Sequence, residues 1–320
     1  MQLQIRERIA DWIYRAKAPE TPPVILVQRR IYIVPTRHGY LFAFILLLLL
    51  LASINYQLSL GYLLVFLLAS IGGMGMLHTW RNLAQLSLSP GRAEPVFAGD
   101  TAQFSLRLGD SLLPRYAVAV RRAGGDAEYA DVPLGGGATV TLPVAASRRG
   151  WLRCGRLEIF THYPFGLFHA WSYVDFGMRC LVYPRPDPGA GSLPVEAAQH
   201  GEGTSLMPGE DEFHALRSWR PTDSPRHIAW KALAREQGLL SKEFMSTASS
   251  DLWLSWDHFP GLGTEERLSR LTFWVLEADR LGLAWGLKLP GTRIALNVGD
   301  AHRMACLEAL ALYQIEAPSP

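Results

Sequence analysis

The chain is poor in cysteine: three residues, Cys154, Cys180 and Cys306, in 320. They lie far apart and are odd in number, which excludes a disulfide framework and predicts reduced, buried thiols. An excess of either charge is also missing. Lys and Arg total 31 against 29 Asp and Glu, a net charge of +2, and so the broad positive field of a nucleic-acid binder is absent. Glycine-rich phosphate loops ending in Lys-Ser/Thr do not occur, so the chain is not expected to hydrolyse ATP itself. No His-Glu-x-x-His and no matched Cys/His set occurs either. Glu210, Asp211, Glu212 and His214 therefore read better as a solvated loop than as metal ligands. Cys154 sits between Arg153 and Gly155 without a recognisable nucleophile context.

The longest absence is of charge. Between Arg37 and Arg81, residues 38–80 contain no Asp, Glu, Lys or Arg. As helix this run of about 43 residues would extend roughly 64 Å, about twice a bilayer core of ~30 Å. Its polar cluster Asn55-Tyr56-Gln57 falls near the middle, which predicts a hairpin of two transmembrane helices, Gly39–Ile54 and Leu58–Leu77. Tyr40, Tyr56, Tyr62 and Trp80 fall near the span ends, where an interfacial belt belongs. Residues 1–37 carry seven Lys/Arg against three Asp/Glu, and Arg81 and Arg92 follow the second span. Basic flanks on both sides place both termini in the cytoplasm by the positive-inside rule. About 37 polar and amphipathic residues precede the first span, so cleavage as a signal peptide is not expected. Within residues 1–37, Ile5, Ile9, Trp12 and Ile13 recur at helical spacing; the helix lies on the cytoplasmic leaflet of the bilayer or against the soluble part. Pro19, Pro22 and Pro23 end it.

Residues 84–185 change to short β-like runs separated by turn residues: Gln103–Leu108, Arg115–Val120, Ala138–Val144, Leu157–Phe160 and Cys180–Tyr183. Their spacing predicts an immunoglobulin-like β-sandwich of about seven strands. Residues 195–316 follow a Pro/Gly/Ser-rich linker. There Leu252–Trp256 predicts a strand and Thr264–Leu281 a helix with Leu268, Leu271, Trp274, Val275, Ala278 and Leu281 on one face. Thr264 is its expected N-cap, and Gly282 suits its C-terminal cap. Leu283–Leu289 and Arg293–Asn297 read as strands and Ala301–Gln314 as a last helix, an α/β layer with a partly parallel sheet. The fold class is thus a membrane-anchored α+β chain.

Three stretches resemble the bacterial family named domain of unknown function 58. The first is Tyr32–Leu83, with Pro35-Thr36-Arg37, Ile54-Asn55-Tyr56, Leu60-Gly61-Tyr62 and His78-Thr79-Trp80-Arg81-Asn82-Leu83. The second is Arg149-Gly150-Trp151 with Tyr163-Pro164-Phe165-Gly166-Leu167-Phe168. The third is the charged block Gly209–Arg235 with Lys242-Glu243-Phe244. The resemblance implies a protein anchored in the bacterial inner membrane with a truncated α/β layer similar to a von Willebrand factor A domain. It also implies a setting beside a MoxR-type AAA+ ATPase and a membrane protein with a transglutaminase-like domain. Two positions depart from the family pattern. Pro221-Thr222-Asp223 stands where many relatives have Pro-Gly-Asp, and Asp257-His258-Phe259-Pro260-Gly261 keeps only the Asp of Asp-x-Ser-x-Ser. Asp257 is accordingly expected to be a degenerate relic that holds no metal, and no cofactor is expected.

Arg217, Trp219, Arg220, Asp223, Arg226, Trp230, Lys231 and Arg235 form the densest cluster of Arg and Trp. Those residue types dominate interface hot spots, which makes the block a candidate partner-binding face; structural ion pairs within a hairpin are the equal alternative. The leading functional expectation is a non-enzymatic membrane adaptor or assembly factor working with the ATPase. The alternatives are a divalent-cation-dependent, adhesion-type binding module and a membrane-bound thiol hydrolase or transferase.

Overall fold

The computed structural model describes residues 19–109, 113–194, 208–218, 240–245 and 252–315, with 208–218 and 240–245 described by their backbone alone. The chain divides into two units, residues 1–185 with 311–320, and residues 186–310.

The first unit begins with β1 (Val24–Ile25) and β2 (Tyr32–Pro35), followed by the long helices α1 (Arg37–Asn55) and α2 (Ser59–Leu83). The two helices are long and apolar enough to cross a membrane, about 28 and 37 Å at 1.5 Å per residue. Only 11% and 17% of their most apolar stretches are buried, which separates them from the core helices of a water-soluble fold. Thr36 caps α1 by accepting from the Gly39 N–H at 3.2 Å. At the far end the chain reverses through Gln57, whose φ of 52° lies in the left-handed region. Small residues let the helices approach. A Cβ on Gly72 would stand 3.0 Å from the Phe42 ring, and one on Gly61 would collide with Ser53.

The chain then continues through β3 (Ser87–Pro90), β4 (Val96–Phe97), β5 (Thr101–Gly109), β6 (Arg115–Arg122), β7 (Ala127–Val132), β8 (Ala138–Ala145), β9 (Gly150–Arg153), β10 (Leu157–Thr161), β11 (Phe168–Val174) and β12 (Arg179–Tyr183). They form sheets ordered β1-β3-β5-β8, β2-β11-β10-β6-β7 and β4-β12-β9. Strict alternation buries Ala102, Phe104, Leu106 and Leu108 on one face of β5, as period two requires. These side chains share one core with Val118 and Val120 of β6, Val140 and Leu142 of β8, and Leu157 and Ile159 of β10. Two sheets pack face to face on that core, a β-sandwich.

The strands are more numerous than the seven expected. Two of them, β1 and β2, come from before the helices, in a stretch read from sequence as part of an N-terminal segment. They are recruited by long-range pairing: β1 adds to β3 at the edge of one sheet and β2 to β11 at the edge of the other. Trp80, near the end of the second long helix, also packs against the sandwich core. The helical pattern of Ile5 to Ile13 lies outside the described residues.

In the second unit β13 (Pro208–Ser218) pairs antiparallel with β14 (Leu240–Met245). Then come β15 (Leu252–Ser255), α3 (Thr264–Arg280), β16 (Trp285–Leu289), β17 (Thr292–Asn297) and α4 (Asp300–Leu312). The β15–β16 pair is parallel and β16–β17 antiparallel, a partly parallel sheet with a helix crossing between its parallel strands. α3 buries Leu268, Leu271, Trp274, Val275 and Ala278. Its ends correct the sequence reading in two places. Gly263 is the N-cap and Thr264 the first helical residue. Leu281, expected on the apolar face, is the C-cap and 50% exposed, because the helix has already ended. Gly282, at φ 65°, turns the chain away, its N–H bonded to the Asp279 carbonyl and that of Leu283 to Ala278, a Schellman arrangement. The strand beginning at Leu252 stops at Ser255, because the Ser255 hydroxyl accepts from the Asp257 N–H at 3.4 Å and winds Trp256–His258 into a 3-10 turn.

Candidate functional site

The first unit's polar groups converge where α2 enters the sandwich. β6 is irregular at its start: its register against β7 shifts between Arg115 and Val118, and Ala117 has φ 48°. Such a bulge removes backbone groups from the ladder, and those groups take replacement partners. Asn82, 5% exposed in the last turn of α2, supplies them. Its Nδ2 donates to the Tyr116 carbonyl at 2.7 Å and its Oδ1 accepts from the Tyr116 N–H at 3.1 Å. The Ala117 N–H donates to Asp131 Oδ1 at 2.7 Å, and the Ala117 carbonyl accepts from Thr161 Oγ1 at 3.1 Å. The buried Thr161 hydroxyl also accepts from Asn82 Nδ2 at 3.1 Å and from the Tyr163 N–H at 3.2 Å.

Arg115 reaches the other way. The residue is 4% exposed, and its guanidinium donates through Nη1 to the Arg81 carbonyl and through Nη2 to the Ala84 carbonyl at 2.8 Å. The last carbonyls of a helix lack internal partners and carry partial negative charge, so a cation there satisfies both needs. Burial, and secondarily the neighbouring Arg81, lowers the Arg115 pKa, yet a guanidinium remains protonated at neutral pH. Helix and strand thus clamp one another: α2 satisfies the bulge in β6, and β6 caps α2.

The segment between β10 and β11 closes this junction. Thr36 donates through its hydroxyl to the Gly166 carbonyl at 2.6 Å, and its N–H donates to the Leu167 carbonyl at 2.8 Å. A Cβ on Gly39 would collide with that Leu167 carbonyl, and one on Gly75 would stand 2.9 Å from Phe165. Tyr163 packs on Tyr116, ring centroids 5.2 Å apart. Between the loop and α2 lies a cavity of about 440 Å³ lined by Ile71, Met74, His78, Tyr163, Pro164 and Phe165. On β11 and the residue after β10, His169 Nδ1 lies 2.9 Å from His162 Nε2, and the His169 ring stacks on Trp171, which stacks on Tyr32.

Arg217 lies in β13, its backbone opposite Ser241, while Trp219, Arg220, Asp223, Arg226, Trp230, Lys231 and Arg235 lie outside the described residues. Glu210, Asp211, Glu212 and His214 belong to β13, where a loop was expected. Asp257 is exposed in the turn after β15 with Ser255 as its neighbour, and among the described residues no three His, Cys, Asp or Glu side chains come together as a metal site. The three thiols are free and buried. Burial raises Cys154 to about 11, despite the opposing pull of Arg122, and Cys306 to about 12. Cys306 Sγ is 3.8 Å from His302 Nε2, but that nitrogen also faces the Trp285 carbonyl at 2.9 Å. A hydrogen bond to that carbonyl requires the proton on Nε2, and in that tautomer Nε2 cannot accept one from sulfur.

The clamp itself escaped the sequence reading. Asn82 and Arg115 stand 33 positions apart, each at the edge of an apolar run, and their pairing gains meaning only once the strand is placed beside the helix.

No family model matches the chain, and no solved structure matches it. It is 24% identical over 198 residues to a protein of Bacillus subtilis (strain 168) described as "Uncharacterized protein YeaD"; the match covers 57% of this chain and 47% of that protein. The chain therefore matches about half the length of this curated relative.

Proposed function

We propose that this chain is a non-enzymatic adaptor or assembly factor of the bacterial inner membrane, anchored by α1 and α2 with both ends in the cytoplasm. In this reading it presents its soluble parts to a MoxR-type AAA+ ATPase, alongside a transglutaminase-like membrane protein. The observation that carries it is the clamp. A flexible linker would let the sandwich move independently of the hairpin, whereas α2 ends at Leu83, Leu86 is fully buried and β3 begins at Ser87. With Asn82 and Arg115 locking helix to strand, a displacement of the sandwich is passed to the hairpin. That suits a mounting on which a motor protein acts. The sandwich is taken as immunoglobulin-like on its two face-packed sheets. The second unit is taken as a truncated von Willebrand A-like layer, on its parallel β15–β16 pair and the position of Asp257 just beyond the carboxyl end of β15. The charged block Arg217–Arg235 is the proposed partner face. The thiol alternative is opposed by the burial and raised pKa of Cys154 and Cys306.

Co-purification from detergent-solubilised membranes tests the proposal. The ATPase should be recovered with the unmodified chain and lost with Arg226→Glu or Lys231→Glu at unchanged melting temperature, because charge reversal turns attraction into repulsion. Failure to recover the ATPase after crosslinking would refute the adaptor reading. Undiminished recovery with both reversals would refute the assignment of the face.

A further inference from the structure

We propose that the cavity between α2 and the Tyr163–Phe165 loop is a binding site for an anionic phospholipid, an inference that rests on the reading of α1 and α2 as membrane spans. One wall is the helix face carrying Ile71 and Met74, and the other is Tyr163, Pro164 and Phe165, with His78 toward the end of α2 that enters the sandwich. Ile71 is 43%, Met74 55% and Phe165 58% exposed. The apolar surface does not stop at the cavity: Leu67 and Leu63 continue it along the same face of α2, at 56% and 66% exposure. A helix surface of this kind has hydrocarbon as its medium. The occupant of a groove opening onto it must therefore have an apolar tail that runs along the helix and a polar end at the level of His78 and Tyr163. About 440 Å³ suits a headgroup-sized fragment, not a whole lipid, so the chains remain in the bilayer.

Charge selects the headgroup. The sequence has no Asp or Glu between Glu20 and Glu94, and none between Glu158 and Asp175 on the loop side. Arg37 and Arg81, at the ends of α1 and α2 that adjoin the sandwich, fall in the first of these stretches. Arg81 follows His78 by three positions, one helical turn closer to the sandwich. Cationic groups at a bilayer surface attract anionic lipid. The loop is held in place by hydrogen bonds from the Thr36 hydroxyl and N–H and by close approach at Gly39 and Gly75, so the groove is pre-formed and little ordering cost attends binding.

The test uses the full chain purified in mild detergent and examined by native mass spectrometry with phosphatidylglycerol and phosphatidylcholine of identical acyl chains. One phosphatidylglycerol should be retained in preference to phosphatidylcholine. Arg81→Gln should lower that preference about fivefold, the worth of one arginine at an anionic surface. Met74→Trp should fill the groove and abolish retention of both lipids. Leu60→Ala, at the opposite end of α2, should change neither. Millimolar inorganic phosphate should not displace the lipid. Equal retention of the two lipids, undiminished retention by Met74→Trp at unchanged melting temperature, or displacement by phosphate would each overturn the proposal. Alkaline carbonate extraction of cell membranes separates this from the parent reading: a chain released by carbonate defeats the membrane anchor itself, whereas an integral chain without lipid preference defeats only the site.

Discussion

Replacing Asn82 by Leu, which has nearly the same volume, probes the clamp without opening a cavity. The change removes three hydrogen bonds: to the Tyr116 carbonyl, from the Tyr116 N–H and to Thr161 Oγ1. Each is worth about 1 kcal/mol net, and a buried group left unpaired adds to that. The strand cannot repair the loss by pairing with β7, because the register shift at Arg115–Val118 already holds Tyr116 out of the ladder. A loss of about 3 to 4 kcal/mol follows. At about 2–4 °C per kcal/mol for a unit of this size, the melting temperature in detergent should fall by roughly 10 °C. Asn82→Asp should be at least as damaging at neutral pH, since an oxygen would then face the Tyr116 carbonyl. Hydrogen exchange supplies the local readout: the peptide containing Tyr116 should lose protection in Asn82→Leu. A melting temperature within about 2 °C of the parent, with Tyr116 still protected, would refute the claim that the clamp couples helix to sandwich.

Gly39→Ala should destabilise the chain by about 1–3 kcal/mol, the range of overpacking, because its Cβ meets a backbone carbonyl that cannot rotate away. Gly73→Ala, with nothing within 4 Å, should be neutral or slightly stabilising in the same thermal assay. For the thiols, raising Cys154 from 9.0 to about 11 cuts the reactive thiolate about 100-fold. Maleimide labelling of the folded chain at pH 8 should therefore be slow and accelerate on denaturation. The same shift has a stability sign. The folded pKa lies above the unfolded one, so its contribution is complete below pH 9 and lost as pH rises toward 11; thermal scans across that window should show the decline. Fast labelling at pH 8 would reopen a thiol chemistry.

The helices were legible because their signal is compositional: a run of about 43 residues without charge needs no partner to be understood. β5 and β8 were legible for a related reason, since alternation along Thr101–Gly109 and Ala138–Ala145 records a buried face locally. What was not legible depends on pairs of distant positions. Val24–Ile25 and Tyr32–Pro35 are too short, and too near Pro22 and Pro23, to announce strands; they become strands because β3 and β11 offer free edges. Thr264 has the right side chain for a cap, but the helix starts one residue earlier because Gly263 already takes the extended cap conformation, φ −65° and ψ 160°. The clamp is the extreme case. Nothing about Asn82 alone distinguishes a helix-end amide from a solvent-facing one, and Ala117 with a positive φ violates the local preference of an L-residue. A bulge that costs backbone strain persists only where the surroundings over-determine it, and here Asn82, Asp131 and Thr161 each pay part of that debt through hydrogen bonds. The irregularity and its compensation sit where the apolar hairpin meets the sandwich. Local rules fail at the junction because its geometry is set jointly by a helix and a sheet that the sequence describes separately.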